Sequence, residues 1–219
     1  MSVAAPRSRF GWPHTEARLR QLMALGPVAR EPDTQAFVLR APDGAVRARL
    51  VPPAVQPVGP LVENAADYLE TLCLGRITVV LLRAGRAALG VWTDAGLVRH
   101  KVITKYVVRG RGRAQPTHLR IKGKSSPGSR LRLRNATSLL RDVNQKLHEW
   151  WREEGPSGRV FYACPVRLWA EVFRADPTPP FPWDEPLRVG THVHAPSHRE
   201  LLRVWHHLSR GELTHYPIP

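Results

Sequence analysis

The stretch ITVVLLRAGRAALGVWTDAGLVRHKVITKYVV, residues 77–108, decides the fold class of this chain. ITVVLLR (77–83) is a continuous apolar run typical of a buried strand, and AALGVW (87–92) follows it through a turn at Gly85. A second turn, TDAG, leads into the longer strand LVRHKVITKYVV (97–108). Consecutive strands separated by short turns predict a meander, in which each strand pairs with the next.

A helix is predicted downstream of the meander in NATSLLRDVNQKLHEWW, residues 135–151. Asn135 stands where an N-cap residue is expected, because its side chain can accept a hydrogen bond from the first helical turn. The segment carries an apolar stripe at helical spacing, formed by Leu139, Leu140, Val143 and Leu147. This pattern predicts a helix with one face in the core.

The last part of the chain alternates between strands and helices. RVFYACPV (159–166) predicts a strand, RLWAEVF a short helical segment, and PTPPFPWDEP (177–186) an irregular loop because prolines exclude regular pairing. LRVGTHV predicts a last strand, and SHRELLRVWHHL (197–208) predicts a last helix with a capping box at Ser197 and Glu200. A meander followed by alternating helices and strands predicts a mixed sheet with helices on its faces, of α/β or α+β class; the resemblance described below favours α/β.

Upstream of the meander the sequence predicts a small helix and hairpin. HTEARLRQLMALG predicts a helix that ends at Gly26, and AFVLR and AVRARLV flank the turn signal APDG of a β-hairpin. The proline-rich connector PPAVQPVGP is the candidate boundary. The predicted organisation is a flexible arm at 1–13, a helix and hairpin at 14–56, and a main domain at 57–219 that contains a long basic loop at 109–134.

Charge is distributed unevenly along the chain of 219 residues, whose formal net charge is +15. Between Ala95 and Arg141 there is no Asp or Glu, while Arg and Lys together number 13. A solvated surface normally mixes both signs, so this stretch indicates a polyanionic partner, of which nucleic acid is the commonest. A membrane partner is not expected, because neither a basic amphipathic helix nor an apolar run of spanning length is visible.

Metal and disulfide chemistry find little support in the sequence. Cys73 and Cys164 lie in apolar stretches and are interpreted as buried small side chains, since two thiols cannot form a disulfide framework. No cysteine or carboxylate cluster completes a site with His192, His194 and His198, so surface histidines are the simpler interpretation. No metal and no cofactor are expected, and the absence of a signal-peptide pattern predicts a cytoplasmic protein.

The segment that leaves the meander is VVRGRGRAQPTHLRIKGKSS, residues 107–126. Composition alone is equally compatible with a disordered basic arm that binds RNA by charge. Charge does not explain a single glutamine framed by small residues in Gly112-Arg113-Ala114-Gln115. A carboxamide is no general base at neutral pH, but it can hold a water molecule by donating one hydrogen bond and accepting another. Because it is uncharged, it can enter an RNA cavity without the cost of desolvating a charge.

This G-x-x-Q segment resembles the glutamine loop of Vms-like release-factor domains. These are ribosome-quality-control peptidyl-tRNA hydrolases related to the central domain of eukaryotic and archaeal class-one release factors. Upstream, LVRHKVITKYVVR resembles the strand that enters the loop, with His100, Lys101 and Tyr106 at family-like places. Downstream, SPGSRLRLRN (126–135) resembles the family's S-x-G-x-x-L-R-R-x-N run into the following helix. The similarity covers roughly residues 61–210.

The resemblance implies a monomeric peptidyl-tRNA hydrolase. Its partners would be peptidyl-tRNA and the ribosomal large subunit, where it would contact the rRNA of the peptidyl-transferase centre. Gln115 would orient a water against the ester, and Gly110, Gly112 and Ala114 would shape the loop. The side chains implied to bind RNA phosphates are Arg109, Arg111, Arg113, Arg120, Lys122, Lys124, Arg130 and Arg132.

Two other functions stay open on the sequence alone. Relatives of this domain have been proposed to cut tRNA near its 3′ end, and Gln115 and the neighbouring arginines suit either reaction. A non-catalytic ribosome- or RNA-binding factor, in which the loop only anchors the protein, is the other alternative. The state of the tRNA 3′ end and the effect of replacing Gln115 distinguish the three.

Overall fold

The computed structural model describes residues 6–31, 34–56, 64–105 and 127–217, with the backbone alone for 127–130 and 132. The chain forms two compact units. No helix within the described ranges is both long enough and apolar enough to cross a membrane. The first unit consists of Met1–Ile77, Thr93–Gly96 and Leu202–Pro219, and the second of Thr78–Trp92 and Leu97–Leu201.

The first unit contains an antiparallel sheet in the order β1-β10-β4-β3-β2. The predicted hairpin is confirmed, because β3 and β4 pair through the tight turn at Gly44, whose φ is +84°. The strands are β1 (Arg7–Gly11), β2 (Val28–Arg30), β3 (Phe37–Arg40), β4 (Val46–Val51) and β10 (Arg210–His215).

Two helices share a core with this sheet, α1 (Thr15–Met23) and α2 (Ala65–Glu70). Asn64 caps α2 by accepting a hydrogen bond from the backbone N–H of Asp67 at 2.9 Å. Alternate strand residues and one helix face meet in the core, which includes Leu19, Leu22, Phe37, Leu50 and Tyr68. The helix predicted between residues 14 and 26 is therefore confirmed.

The N-terminal arm prediction is wrong for residues 7–11, which form β1 and pair with β10 from Arg7↔Thr214 to Gly11↔Arg210. Only Phe10 of this strand is buried, and the polar remainder RSR gives no local strand signal. β10 was not predicted either. Pairing between the two ends of the chain depends on tertiary contacts that a local pattern does not report.

The second unit contains a sheet in the order β7-β6-β5-β8-β9. Its first three strands are the predicted meander, and β8 and β9 are parallel neighbours. Positive φ angles at Gly85 and Gly96 allow the tight turns of the meander. The predicted α/β class with a mixed sheet is confirmed. The strands are β5 (Ile77–Arg83), β6 (Arg86–Thr93), β7 (Gly96–Thr104), β8 (Arg159–Ala163) and β9 (Leu187–Arg188).

The helices α3 (Pro127–Glu154) and α4 (Val166–Arg174) contribute their apolar faces to the core of the second unit. Tyr162 stacks on Trp169 with ring centroids 4.0 Å apart. The predicted α3 stripe is confirmed, since all of its members are buried against the sheet: Leu139, Leu140, Val143 and Leu147. The last helix, α5 (His198–Leu208), starts with the predicted cap, where the Glu200 N–H donates to Ser197 Oγ at 3.2 Å.

Several boundaries differ from the predicted ones. Asn135 is not an N-cap, because α3 already begins at Pro127, a residue tolerated in the first turn, and continues through Asn135. β9 ends at Arg188, so most of LRVGTHV lies outside any strand. β7 ends at Thr104, and the end of its predicted span, residues 106–108, lies outside the described residues. Cys73, predicted to be buried, is exposed.

Candidate functional site

Residues 109–126 of the predicted loop at 109–134 lie outside the described residues. The prediction is wrong for 127–134, which form the first turns of α3. For Arg130 and Arg132 the structure gives the helical backbone of α3 but not the side chains. Their roles, and those of the rest of the loop, stay predictions. The site residues predicted from the sequence that lie outside the described ranges are Arg109, Gly110, Arg111, Gly112, Arg113, Ala114, Gln115, Arg120, Lys122 and Lys124.

The chain is fixed at the point where it leaves β7 for the loop. The backbone N–H of Lys105 donates to the Gly85 carbonyl in the β5–β6 turn at 2.8 Å. The Lys105 ammonium also lies 2.7 Å from the Asp142 carboxylate of α3. Both side chains are about two-thirds shielded from solvent, so the pair is stronger than a fully exposed one. The residue that precedes the loop therefore contacts both the sheet and the helix.

A second ion pair sets the register of α3 along β7. Arg99 bridges Glu153 at 3.3 Å and also contacts Glu154 at the far end of the helix. The strand from Arg99 to Lys105 spans about 20 Å, and the helix from Asp142 to Glu154 spans about 18 Å. Strand and helix thus run in opposite directions with matched lengths, and the chain leaves β7 and enters α3 at the same end of the unit.

The first turns of α3 extend beyond the apolar core. Leu131 and Leu133 are 51% and 70% exposed, whereas Leu139 is 1% exposed. Arg134 is exposed as well. The later turns of α3 are held by the core, and its first turns continue the helix into solvent. The chain between residues 105 and 127 therefore connects two well-anchored elements.

The described surface around the loop carries uncompensated positive charge. Lys101 on β7 and Arg134 and Arg141 on α3 are exposed, and none has a carboxylate partner within the described part of the chain. Asp142 is the first acidic residue after the segment 95–141, which contains no Asp or Glu, and the ion pair with Lys105 neutralises its charge. The positive potential that the sequence predicts is thus present on the strand and helix that flank the loop.

Asn144 is a positioning residue that the sequence analysis missed. Its buried side-chain amide donates to the backbone carbonyls of Val172 at 2.8 Å and Pro177 at 2.7 Å. These two bonds join α3 to the end of α4 and to the proline-rich loop. No local sequence signal marks this role; only a polar residue beside the apolar stripe of α3 hints at a buried polar contact.

The three histidines considered as metal ligands do not form one group. The rings of His192 and His194 are in contact with each other, with centroids 4.3 Å apart, whereas His198 packs against His100 of β7 at the same distance. Within the ranges that the structure describes, no group of three or more His, Cys, Asp or Glu side chains is arranged to hold a metal ion. His198 is therefore part of a ring pair on the sheet.

In the sequence, the basic G-x-x-Q segment lies between the last strand of the meander and a long helix, and the fold has the mixed sheet with helices that the resemblance to release-factor domains implies. The chain belongs to the family described as Bacteroidetes VLRF1 release factor, whose match covers residues 77–216. The match starts at β5 and includes the meander, the loop and α3 to α5. The predicted kinship with Vms-like release-factor domains is confirmed, and the chain is a release factor of that family.

A solved structure supports the fold. A chain described as Vms1 mitochondrial localization core superimposes with a TM-score of 0.51 at 12% sequence identity, over 100% of this chain and 86% of that chain. At this identity the likeness concerns the fold alone. No curated protein matches the sequence.

Proposed function

We propose that this release factor hydrolyses the ester bond of ribosome-bound peptidyl-tRNA, with Gln115 orienting the attacking water. Family membership supports the reaction class. The observation that carries the proposal is a set of two ion pairs, Lys105 with Asp142 and Arg99 with Glu153. Each pair joins the chain before the G-x-x-Q segment to the helix that follows it. A glutamine delivered from two fixed elements meets its target with less loss of entropy than one on a free arm.

The chemistry fits a glutamine that works inside RNA. The carboxamide of Gln115 can accept a hydrogen bond from water and donate one to a neighbouring oxygen, which orients the water without a change of protonation. The remaining positioning and electrostatic stabilisation would come from the rRNA and the tRNA. Gly110 and Gly112 would give the loop backbone the freedom to enter a narrow catalytic centre.

In this proposal the arginine side chains bind the protein to the ribosome. The loop residues Arg109, Arg111 and Arg113 would neutralise phosphates of rRNA and tRNA, and the exposed Lys101, Arg134 and Arg141 would extend the same surface. The partner would be a ribosome or a large subunit that still carries a nascent chain. The cellular role would then be quality control and rescue of stalled translation.

The test is a product analysis on ribosomes that hold a labelled peptidyl-tRNA. Wild-type protein is expected to yield free peptide together with tRNA that keeps an intact 3′ end, and Gln115→Ala is expected to yield neither at a comparable rate. A truncated tRNA 3′ end with the peptide still attached to the removed nucleotides identifies the endonuclease instead. Ribosome binding without any product identifies the non-catalytic factor.

A further inference from the structure

A cavity of about 530 Å³ lies in the second unit, and none of its lining residues belongs to α3. The last residue of β5, Arg83, the last residue of β8, Ala163, and the last residue of β9, Arg188, all line it. These strands are neighbours in the sheet, and β8 and β9 are parallel. The cavity therefore sits where strands end at one edge of an α/β sheet, the usual place for a ligand in this architecture.

Two arginines give the cavity a positive charge. Arg83 and Arg188 line it, and no Asp or Glu is among its described lining residues. Within the part of the chain that the structure describes, neither arginine forms an ion pair with a carboxylate. Arg83 is held in place by a hydrogen bond from its Nε to the Val193 carbonyl at 2.7 Å. Two guanidinium groups beside one cavity repel each other unless an anion lies between them.

The thiol of Cys164 does not supply that anion. Burial raises its pKa to about 12, even though the nearby Arg83 and Arg188 guanidinium groups act in the opposite direction. At neutral pH Cys164 is therefore an uncharged thiol, and its Sγ is 3.4 Å from the Pro165 carbonyl oxygen, to which it donates. The positive charge of the cavity stays uncompensated by protein groups in the described residues.

We propose that this cavity binds the phosphate group of a ribonucleotide. Guanidinium groups match the geometry of phosphate oxygens. At Gly190 an added Cβ would meet no atom within 4 Å, so the backbone there faces open space that a ligand can approach. The volume exceeds that of an isolated phosphate and suits a ligand of nucleotide size. The inference does not rest on the role of Gln115.

An amide-resolved NMR titration tests the proposal, because it separates this cavity from the phosphate contacts of the basic loop. The probes are inorganic phosphate, adenosine 5′-monophosphate and a 5′-phosphorylated RNA trinucleotide. Saturable shifts of the backbone amides of Gly190, Thr191 and His192 are expected with all three, and the nucleotide is expected to bind more tightly than inorganic phosphate. Equal affinity of mononucleotide and trinucleotide indicates a free nucleotide; tighter binding of the trinucleotide indicates an RNA end.

Arg188→Gln removes one charge from an exposed side chain and is expected to leave the fold intact. It should weaken nucleotide binding at these amides by about tenfold. The matched control is Arg174→Gln on α4, an exposed arginine that pairs with Glu171 and does not line the cavity. Absence of shifts at residues 189–192, or equal affinity for Arg188→Gln and the control, overturns the proposal. A nucleotide that binds no better than inorganic phosphate overturns its nucleotide part.

Discussion

The Lys105 ammonium lies 2.7 Å from the Asp142 carboxylate, and this contact joins the end of β7 to α3 directly beside the glutamine loop. Asp142 is also the first acidic residue after a basic stretch that begins before β7. The pair therefore has two consequences. It joins the residue after β7 to α3, and it neutralises the charge of Asp142, which would otherwise repel RNA phosphates.

Breaking this pair is expected to affect peptide release more than stability. Lys105→Ala and Asp142→Ala should each lower the free energy of unfolding by about 1 kcal/mol, because the two side chains are partly exposed. Each should slow peptide release about tenfold or more, since a loop anchor that shifts by about 1 Å misplaces the reacting group. A double-mutant cycle measured by denaturant unfolding and by single-turnover release checks both. Additive effects of the two substitutions on release would contradict the anchoring role.

The exposed cations near the loop are expected to control ribosome binding through salt-dependent contacts. Replacing Lys101, Arg134 and Arg141 by Glu should weaken ribosome binding, and the slope of log K against log salt concentration should become shallower by about 0.7 to 0.9 for each lost phosphate contact. Co-sedimentation over a range of salt concentrations measures both. Arg174→Glu is the control. If the triple variant and this control show the same salt-dependence slope, Lys101, Arg134 and Arg141 do not contact RNA phosphates.

Asn144 is expected to be a large contributor to the stability of the second unit. Asn144→Ala leaves the buried carbonyls of Val172 and Pro177 without their donor, at an expected cost of about 2–4 kcal/mol. Gln145, its exposed neighbour on α3, is the matched control, and Gln145→Ala should change the unfolding free energy by less than about 0.5 kcal/mol. Urea unfolding of the two variants makes the comparison. Similar losses for both would show that the two bonds of Asn144 contribute little.

Gly90 in β6 is expected to tolerate no side chain. A Cβ at this position would lie 2.5 Å from the ring atoms Cζ3 and Cη2 of Trp92, which is only 1% exposed and cannot move aside. Gly90→Ala should therefore destabilise the protein by about 1–3 kcal/mol through overpacking. Gly190→Ala, where the new methyl group meets nothing within 4 Å, is the control in the same thermal unfolding experiment. Equal stability of the two variants would mean that the sheet relaxes around Trp92.

The sequence predicted those elements whose signals are local. The apolar runs of β5 and β6, the glycine turn at Gly85 between them and the cap at Ser197 each act within a few residues, and the structure confirms all of them. The α3 stripe was predicted for the same reason. The start of α3 was misplaced, because proline is tolerated in the first helical turn and the Arg and Leu residues of 130–134 are good helix formers that precede Asn135.

The elements that were missed depend on contacts between distant parts of the chain. β1 and β10 pair although almost the whole chain separates them in sequence. Asn144 forms its two buried hydrogen bonds only when α4 and the proline-rich loop pack against α3. The Lys105–Asp142 pair likewise joins residues that the whole loop separates. The site residues taken from the sequence and its resemblance to a family stay predictions, whereas the ion pairs that join β7 and its following residue to α3 became visible only in the fold.

The most direct test of the central claim compares release and binding on the same ribosome complexes for Gln115→Ala and its control Gln145→Ala. Gln115→Ala is expected to slow peptide release by about 100-fold or more, as the loss of a group that orients a reacting water should, while its affinity for the ribosome stays within about twofold of the control. Peptide release by Gln115→Ala at the rate of the control would contradict the assignment of Gln115 as the residue that positions the water.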